Sequence, residues 1–257
     1  MEHAANFDLT GRRALVTGAA RGLGRAISLA LAHAGADLAL GLRDRETDHG
    51  LVEEVRALGR RCVALQMDVA DLDQSRAAVD AAAAELGGID ILVNNAGYGI
   101  GDRAMDVQEQ DFDRVIRVNV KSTFFISQMV ARYMKKQQSG GRIINLSSQA
   151  AFVALPGEIV YCLSKAAVSH MTRCMAIEWG VDDINVNAIA PTFIETPGTD
   201  AALSDPDFRS DTIERIAALH RIGKPIDVAG AAVFLASPAA SMITGHNLLI
   251  DGGWTVR

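Results

Sequence analysis

Short runs of Leu, Val, Ile and Ala alternate along this chain with longer segments whose apolar residues recur at helical spacing. Residues 13–17, 37–42, 61–66, 89–94, 142–146, 184–190 and 246–250 read as strands. Residues 22–34, 48–58, 73–86, 112–136, 160–179 and 226–236 read as the intervening helices. The strands are nearly continuous apolar runs, the pattern of strands covered on both faces. The expectation is an α/β fold: a doubly wound, mainly parallel seven-stranded sheet with helices on both faces. No linker or repeat divides the series, so residues 1–257 read as one domain. The exception to the rhythm is 192–225, where Pro197, Asp200, Asp205, Pro206 and Asp207 interrupt any strand. Only 212–219 looks helical there, and the segment reads as a substrate loop or lid.

Composition narrows the partners. The 257 residues are 49% hydrophobic and carry 25 basic against 31 acidic side chains, a formal charge of −6. A nucleic-acid footprint would show as clustered Lys and Arg, so none is expected. The most apolar stretch, 26–42, is broken by His33 and Asp37, so no membrane span is expected either. The start MEHAANFDLTGRR has no basic, apolar leader pattern, and Cys62, Cys162 and Cys174 form no CxxC. A reduced, cytoplasmic setting follows as the expectation. His3, His33, His49, His170, His220 and His246 are scattered without metal-ligand spacing, so no metal is expected.

Directly after the first strand comes Thr17-Gly18-Ala19-Ala20-Arg21-Gly22-Leu23-Gly24, which opens a helix. Gly18, Gly22 and Gly24 allow a tight turn, close backbone approach to a pyrophosphate and close helix packing, with the helix N-terminus facing the anion. The spacing is GxxxGxG, and no GK[ST] follows to make a Walker loop. Such a turn can need glycine for geometry alone, so its neighbours matter. Asp68 ends the third strand and Asn94-Asn95-Ala96-Gly97 the fourth, at the edge where a doubly wound sheet takes its ligand.

Only Tyr98, Tyr133 and Tyr161 can supply a phenol. Tyr161 and Lys165 lie four residues apart, one helical turn on one face. A cation held beside a phenol favours its phenolate and makes it a general acid/base near working pH. Ser148 stands just past the fifth strand, thirteen residues before the tyrosine, and Asn119 lies inside a long helix where asparagine costs propensity. Ser169-His170 imitates a nucleophile and base, but no GxSxG elbow exists and adjacent helical residues diverge.

TGAARGLG, Asp68, NNAG, Asn119, Ser148 and Tyr161-x-x-x-Lys165, in this order, resemble the short-chain dehydrogenase/reductase family over nearly the whole chain. The resemblance implies a Rossmann-type enzyme with a nicotinamide cofactor. It implies that Tyr161 moves the proton, that Ser148 holds the substrate oxygen, and that Lys165 binds the nicotinamide ribose and lowers the tyrosine pKa. Asn119 would hold a water in the proton relay, Asp68 would contact the adenine, and Asn94 the adjacent ribose region. The remaining cofactor contacts would be Gly18, Arg21, Gly22, Leu23, Gly24, Val69, Asn95, Ala96, Gly97, Pro191, Ile194 and Thr196, together with Tyr161 and Lys165. Where the family usually has Pro-Gly after the sixth strand, this chain has Pro191-Thr192.

NAD-dependent relatives place an acid at the end of the second strand; here that position is Leu42, followed by Arg43. Arg21 and Arg43 could grip a 2′-phosphate, so NADP(H) is favoured over NAD(H), with Asp44 close enough to reverse the preference if the strand ends two residues later. Across 195–215 six acids face two arginines, a poor dock for an acidic acyl-carrier protein. Gln149, Glu158 and Thr192, with Ser148 and Tyr161, could hydrogen-bond substrate hydroxyls. The resemblance to family members acting on sugars, polyols and sugar acids favours such a substrate. The alternatives are a 3-oxoacyl-(acyl-carrier-protein) reductase and a non-catalytic nucleotide-sensing protein on the same fold. Gly97-Tyr98-Gly99-Ile100-Gly101 reads as a loop at the active-site mouth, with Tyr98 near substrate. Family members are often tetramers, so a homo-oligomer is expected, with the long helices and 248–254 as interface material.

Overall fold

The computed structural model describes residues 5–256; His3 lies outside them. Seven strands form one parallel sheet in the order β3-β2-β1-β4-β5-β6-β7. They are β1 (Arg13–Thr17), β2 (Asp37–Leu42), β3 (Cys62–Gln66), β4 (Ile91–Asn94), β5 (Gly141–Leu146), β6 (Ile184–Pro191) and β7 (Asn247–Ile250). The main helices are α1 (Gly22–His33), α2 (Leu51–Ala57), α3 (Leu72–Leu86), α4 (Glu109–Ile116), α5 (Ser122–Gln137), α6 (Ile159–Trp179), α7 (Asp200–Leu203), α8 (Pro206–Arg215) and α9 (Pro225–Ala236). No helix among the described residues is long and apolar enough to cross a membrane.

The period-two geometry of a strand sorts the core into two halves. Ala14 and Val16 of β1 face a cluster with Ile27 and Leu31 of α1 and Val228 and Leu235 of α9. Leu15, between them, faces Val79 of α3, Val130 and Met134 of α5 and Met175 of α6. The chain leaves β1 toward β2 and β3, then returns to place β4 on its other side. A crevice therefore opens at the carboxyl ends of β1 and β4, the switch point of a doubly wound sheet.

Among the elements that differ from the sequence reading, which include α2 starting at Leu51, three have a clear local cause. The helix read over 112–136 begins at Glu109, where Glu109 and Asp111 supply first-turn acids, and it contains a π turn at Arg117–Lys121. The lid holds two helices in place of one at 212–219. Asp205 caps α8 by accepting from the backbone N–H groups of Asp207 and Phe208, and Pro206 fits the first turn. Residues 218 and 219 leave that helix because both their N–H groups donate to the Gly252 carbonyl. Finally, β4 begins at Ile91, since Ile89 exchanges both backbone hydrogen bonds with the Gln137 side chain.

Candidate active site

The turn between β1 and α1 is held by backbone contacts. Gly18 has φ +64° and Gly22 φ +56°, both in the left-handed region. A Cβ on Gly24 would run into the Gly18 carbonyl and lie 2.6 Å from Asn95 Nδ2. Asn95 Nδ2 donates to the carbonyls of Thr17 (2.9 Å) and Gly18 (3.1 Å), while the N–H groups of Asn95 and Ala96 donate to Thr17 Oγ1. Arg21 precedes the helix without a side-chain cap, so the first-turn N–H groups of α1 stay available to an anion. This cradle, which added side chains would fill, fits the pyrophosphate of a dinucleotide. β2 ends at Leu42, paired with Gln66, and Arg43 follows exposed at the rim, as counted from the sequence.

One continuous cleft runs from this turn across the sheet edge. It is lined by Gly18, Arg21, Gly22, Leu23, Gly24, Arg43, Asp68, Val69, Asn95, Ala96 and Gly97, then by Ser148, Gln149, Glu158, Tyr161, Lys165, Pro191, Thr192, Ile194 and Thr196. Two expected residues lie beneath it. Asn94 is buried and donates to Ser127 Oγ (2.8 Å) and Asn145 Oδ1 (2.9 Å), so it ties β4 to its neighbours and does not reach the ribose region. Asn119, 1% exposed, accepts from the Tyr98 N–H and donates to the Tyr98 carbonyl and Ser164 Oγ. Its side chain clamps the 97–98 backbone to α6, and its place in the π turn is what the sequence did not reveal.

Tyr161 and Lys165 share one face of α6, with Lys165 Nζ 5.5 Å from the phenol ring centroid. Lys165 Nζ donates to the Leu146 carbonyl at 2.7 Å. Ser148 Oγ donates to Gln149 Oε1 at 2.7 Å and accepts from the Ala150 N–H, which fixes it on a short 3-10 turn after β5. Serine, tyrosine and lysine thus line the same cleft as the glycine turn.

The family model described as enoyl-(acyl carrier protein) reductase matches residues 18–255. The chain is 42% identical over 98% of its length to the 2-dehydro-3-deoxy-D-gluconate 5-dehydrogenase of Dickeya dadantii, and covers 98% of that protein. It is 40% identical to the D-threitol dehydrogenase of Mycolicibacterium smegmatis, covering 98% of this chain and 96% of that one. The gluconate 5-dehydrogenase of Burkholderia cenocepacia, solved with NADP and tartrate, superposes with a TM-score of 0.94 at 36% identity, covering 98% of each chain. The chain belongs to the short-chain dehydrogenase/reductase family.

As a member of that family it is an oxidoreductase, moving hydride between a nicotinamide cofactor and a secondary alcohol or ketone. Burial pushes the Tyr161 phenol up to about 12; the Ser148 hydroxyl opposes that rise, and Glu158 and Cys162 add to it. Burial also brings the Lys165 ammonium down to about 8. In this structure Lys165 Nζ is turned to the Leu146 carbonyl and stands over the Tyr161 ring.

This short-chain dehydrogenase/reductase also uses residues the sequence reading passed over. Phe193 stacks on Trp254 at 5.8 Å and meets Phe208 edge-on at 5.5 Å, forming an aromatic wall of the cleft. Trp254, at the end of the 248–254 segment, is buried against Leu203, Ile216 and Ile222 of the lid. Arg114 lies over the Tyr98 ring at 5.1 Å. Only the GYGIG motif hinted at this contact. Among the decoys, Ser169 Oγ is engaged by Ser147 Oγ at 2.7 Å while His170 is exposed. No group of three potential metal ligands occurs among the described residues.

Proposed function

We propose that the enzyme is an NADP(H)-dependent dehydrogenase of a polyhydroxylated substrate: a sugar, a polyol or a sugar acid. The observation that carries the substrate class is an unsatisfied polar wall. Thr192 Oγ1 and the Tyr98 hydroxyl are buried without a hydrogen-bond partner, and both residues line the cleft with Ser148, Gln149 and Glu158. Buried polar atoms without partners cost about 1–3 kcal/mol each, a cost that substrate hydroxyls would relieve. Arg21 and Arg43, exposed at the cofactor end, support the NADP(H) preference.

When bound, the nicotinamide supplies or accepts the hydride. Ser148 holds the substrate oxygen, which frees its hydroxyl from Gln149. Tyr161 takes the alcohol proton in oxidation and returns it in reduction. Lys165 would hold the cofactor's ribose when it is bound and would stabilise the phenolate. Asn119 keeps Gly97 and Tyr98 against this pair: a Cβ on Gly97 would lie 3.1 Å from Asn119 Oδ1 and 3.4 Å from Lys165 Nζ. Exposed Phe124 of α5 and Leu163 and Ile177 of α6 support a homo-oligomer joined through these helices.

The test is nicotinamide absorbance with a panel of sugars, polyols and sugar acids, each with NADP⁺ and NAD⁺. Turnover of panel members with the higher kcat/KM for NADP⁺ is expected, and Arg43→Ala should cut that preference about 10- to 100-fold. Turnover of acyl-carrier thioesters alone overturns the substrate class, and a higher kcat/KM for NAD⁺ overturns the cofactor choice.

A further inference from the structure

Glu158 stands at the N-terminal end of α6, one turn before Tyr161, so its carboxylate and the phenol leave the helix at the same end. The GYGIG loop closes over both. A Cβ on Gly99 would lie 3.1 Å from Tyr161 Cδ2 and 3.2 Å from Glu158 Oε2, and one on Gly101 would lie 3.3 Å from Glu158 Oε1. Asp102 then pairs with the Glu158 backbone in an isolated parallel bridge. The two glycines are thus the space into which the carboxylate fits, directly beside the catalytic ring.

No salt bridge or side-chain hydrogen bond reaches this carboxylate among the described residues. The groups set beside it are Tyr161 from its own helix and Gly99 and Gly101 from the facing loop, none of them basic. Burial alone raises its pKa, and its charge in turn makes the Tyr161 phenolate harder to form. A half-buried acceptor without a partner is costly, and a ligand hydroxyl that donates to it removes that cost.

We propose that Glu158 is a specificity-determining residue: its carboxylate accepts a hydrogen bond from a hydroxyl on the carbon next to the one oxidised. The site is thereby built for vicinal diols over isolated secondary alcohols, and it repels an anion at the neighbouring carbon. This rests on the reading of the cleft as a polyol or sugar site and names the substrate feature that the site recognises. The hydroxyl donates and the carboxylate accepts; no bond is made or broken at Glu158.

The experiment compares kcat/KM for 2,3-butanediol and 2-butanol in the wild type, Glu158→Gln and Glu158→Ala. The wild type should prefer the diol. Glu158→Ala should shrink that preference about 10- to 100-fold, the size of a hydrogen bond to a charged group, and Glu158→Gln, which keeps an acceptor oxygen and the volume, should shrink it less. Cofactor Kd, read by nicotinamide fluorescence, should stay that of the wild type in both variants and reports that the fold and cofactor wall are intact. A diol-to-alcohol ratio that is equal in all three proteins overturns the inference while leaving secondary-alcohol oxidation standing. A wild type that turns over neither alcohol nor any panel polyol, but does turn over acyl thioesters, overturns the functional reading instead.

Discussion

On the cofactor side of the cleft, the ligand-facing surface is backbone held by backbone: Gly18 and Gly22 in left-handed conformations, Gly24 packed against the Gly18 carbonyl, and Asn95 bonded to two main-chain oxygens. On the substrate side the surface is side chains drawn from four distant segments: Tyr98, Gln149, Glu158, Thr192 and Trp254. On the first wall the one polar side chain at the turn, Asn95, is bonded to the main chain, whereas the second keeps buried polar side-chain atoms without partners. A backbone wall suits a part of the ligand that never varies, and an unsatisfied side-chain wall suits the part that sets specificity.

The largest break in this contrast comes from the one group both ligands need. Tyr161→Phe removes the proton carrier but leaves the ring, so kcat should fall about 10³-fold or more while cofactor Kd is retained. Steady-state rates and a fluorescence titration check it; wild-type turnover would remove Tyr161 from its role.

Next is Gly24→Ala. Its Cβ meets backbone that cannot move aside, so a loss of about 3 kcal/mol in stability is expected, together with weakened cofactor binding. The lid offers the control. At Gly198 the nearest atom to an added Cβ is Thr196 Oγ1, 3.7 Å away, and Gly198→Ala should stay within about 0.5 kcal/mol of wild type by thermal unfolding. Equal effects at the two sites would erase the distinction between the walls.

The same contrast decides what the sequence made legible. Backbone geometry leaves glycines at fixed spacing, so the turn at 18–24 and the end of β2 at Leu42 were readable, as was the Tyr161/Lys165 pair, which needs only one helical turn. The aromatic wall was not, because Phe193, Phe208 and Trp254 meet only through the tertiary fold. The π turn at Asn119 and the cap that starts α8 at Pro206 were missed because each depends on local hydrogen bonds that hydrophobic periodicity does not report. Asn94 was misjudged for a related reason: one residue separates a strand-end side chain that points into the sheet from one that meets the cleft.

A smaller effect concerns the charge the two walls share. Lysine ordinarily titrates near 10.5, and Lys165 does so at about 8. Between these values the unfolded chain holds a proton that the folded chain has lost, so this group makes stability rise with pH across that window, its burial cost being fully present below 8. Tyr161 acts oppositely from about 10 to about 12, where the folded chain keeps a proton the unfolded one loses. Cys62, pushed up to about 12 by burial, adds a similar fall from 9 upward. The clean measurement is therefore the difference in Tm between wild type and Lys165→Met. Wild type should gain on the variant by about a few degrees between pH 8 and 10, and a flat difference would mean that the ammonium is not held in a buried site.

The smallest expected change separates the walls most sharply, because it should move stability and function in opposite directions. Thr192→Val keeps shape and removes an Oγ1 that is buried without a partner. The folded enzyme should therefore gain about 1 kcal/mol, read as a higher Tm, since the unsatisfied group is gone. Its KM for the preferred polyol should rise about several-fold, because the hydroxyl was kept unpaired for the substrate. On the cofactor wall no substitution of this kind exists: at Gly24 stability and binding fall together. If Thr192→Val lowers stability, or raises it with KM unmoved, the hydroxyl serves the fold and not the substrate, and the unsatisfied wall shrinks to Tyr98, whose hydroxyl can be tested in the same way with Tyr98→Phe.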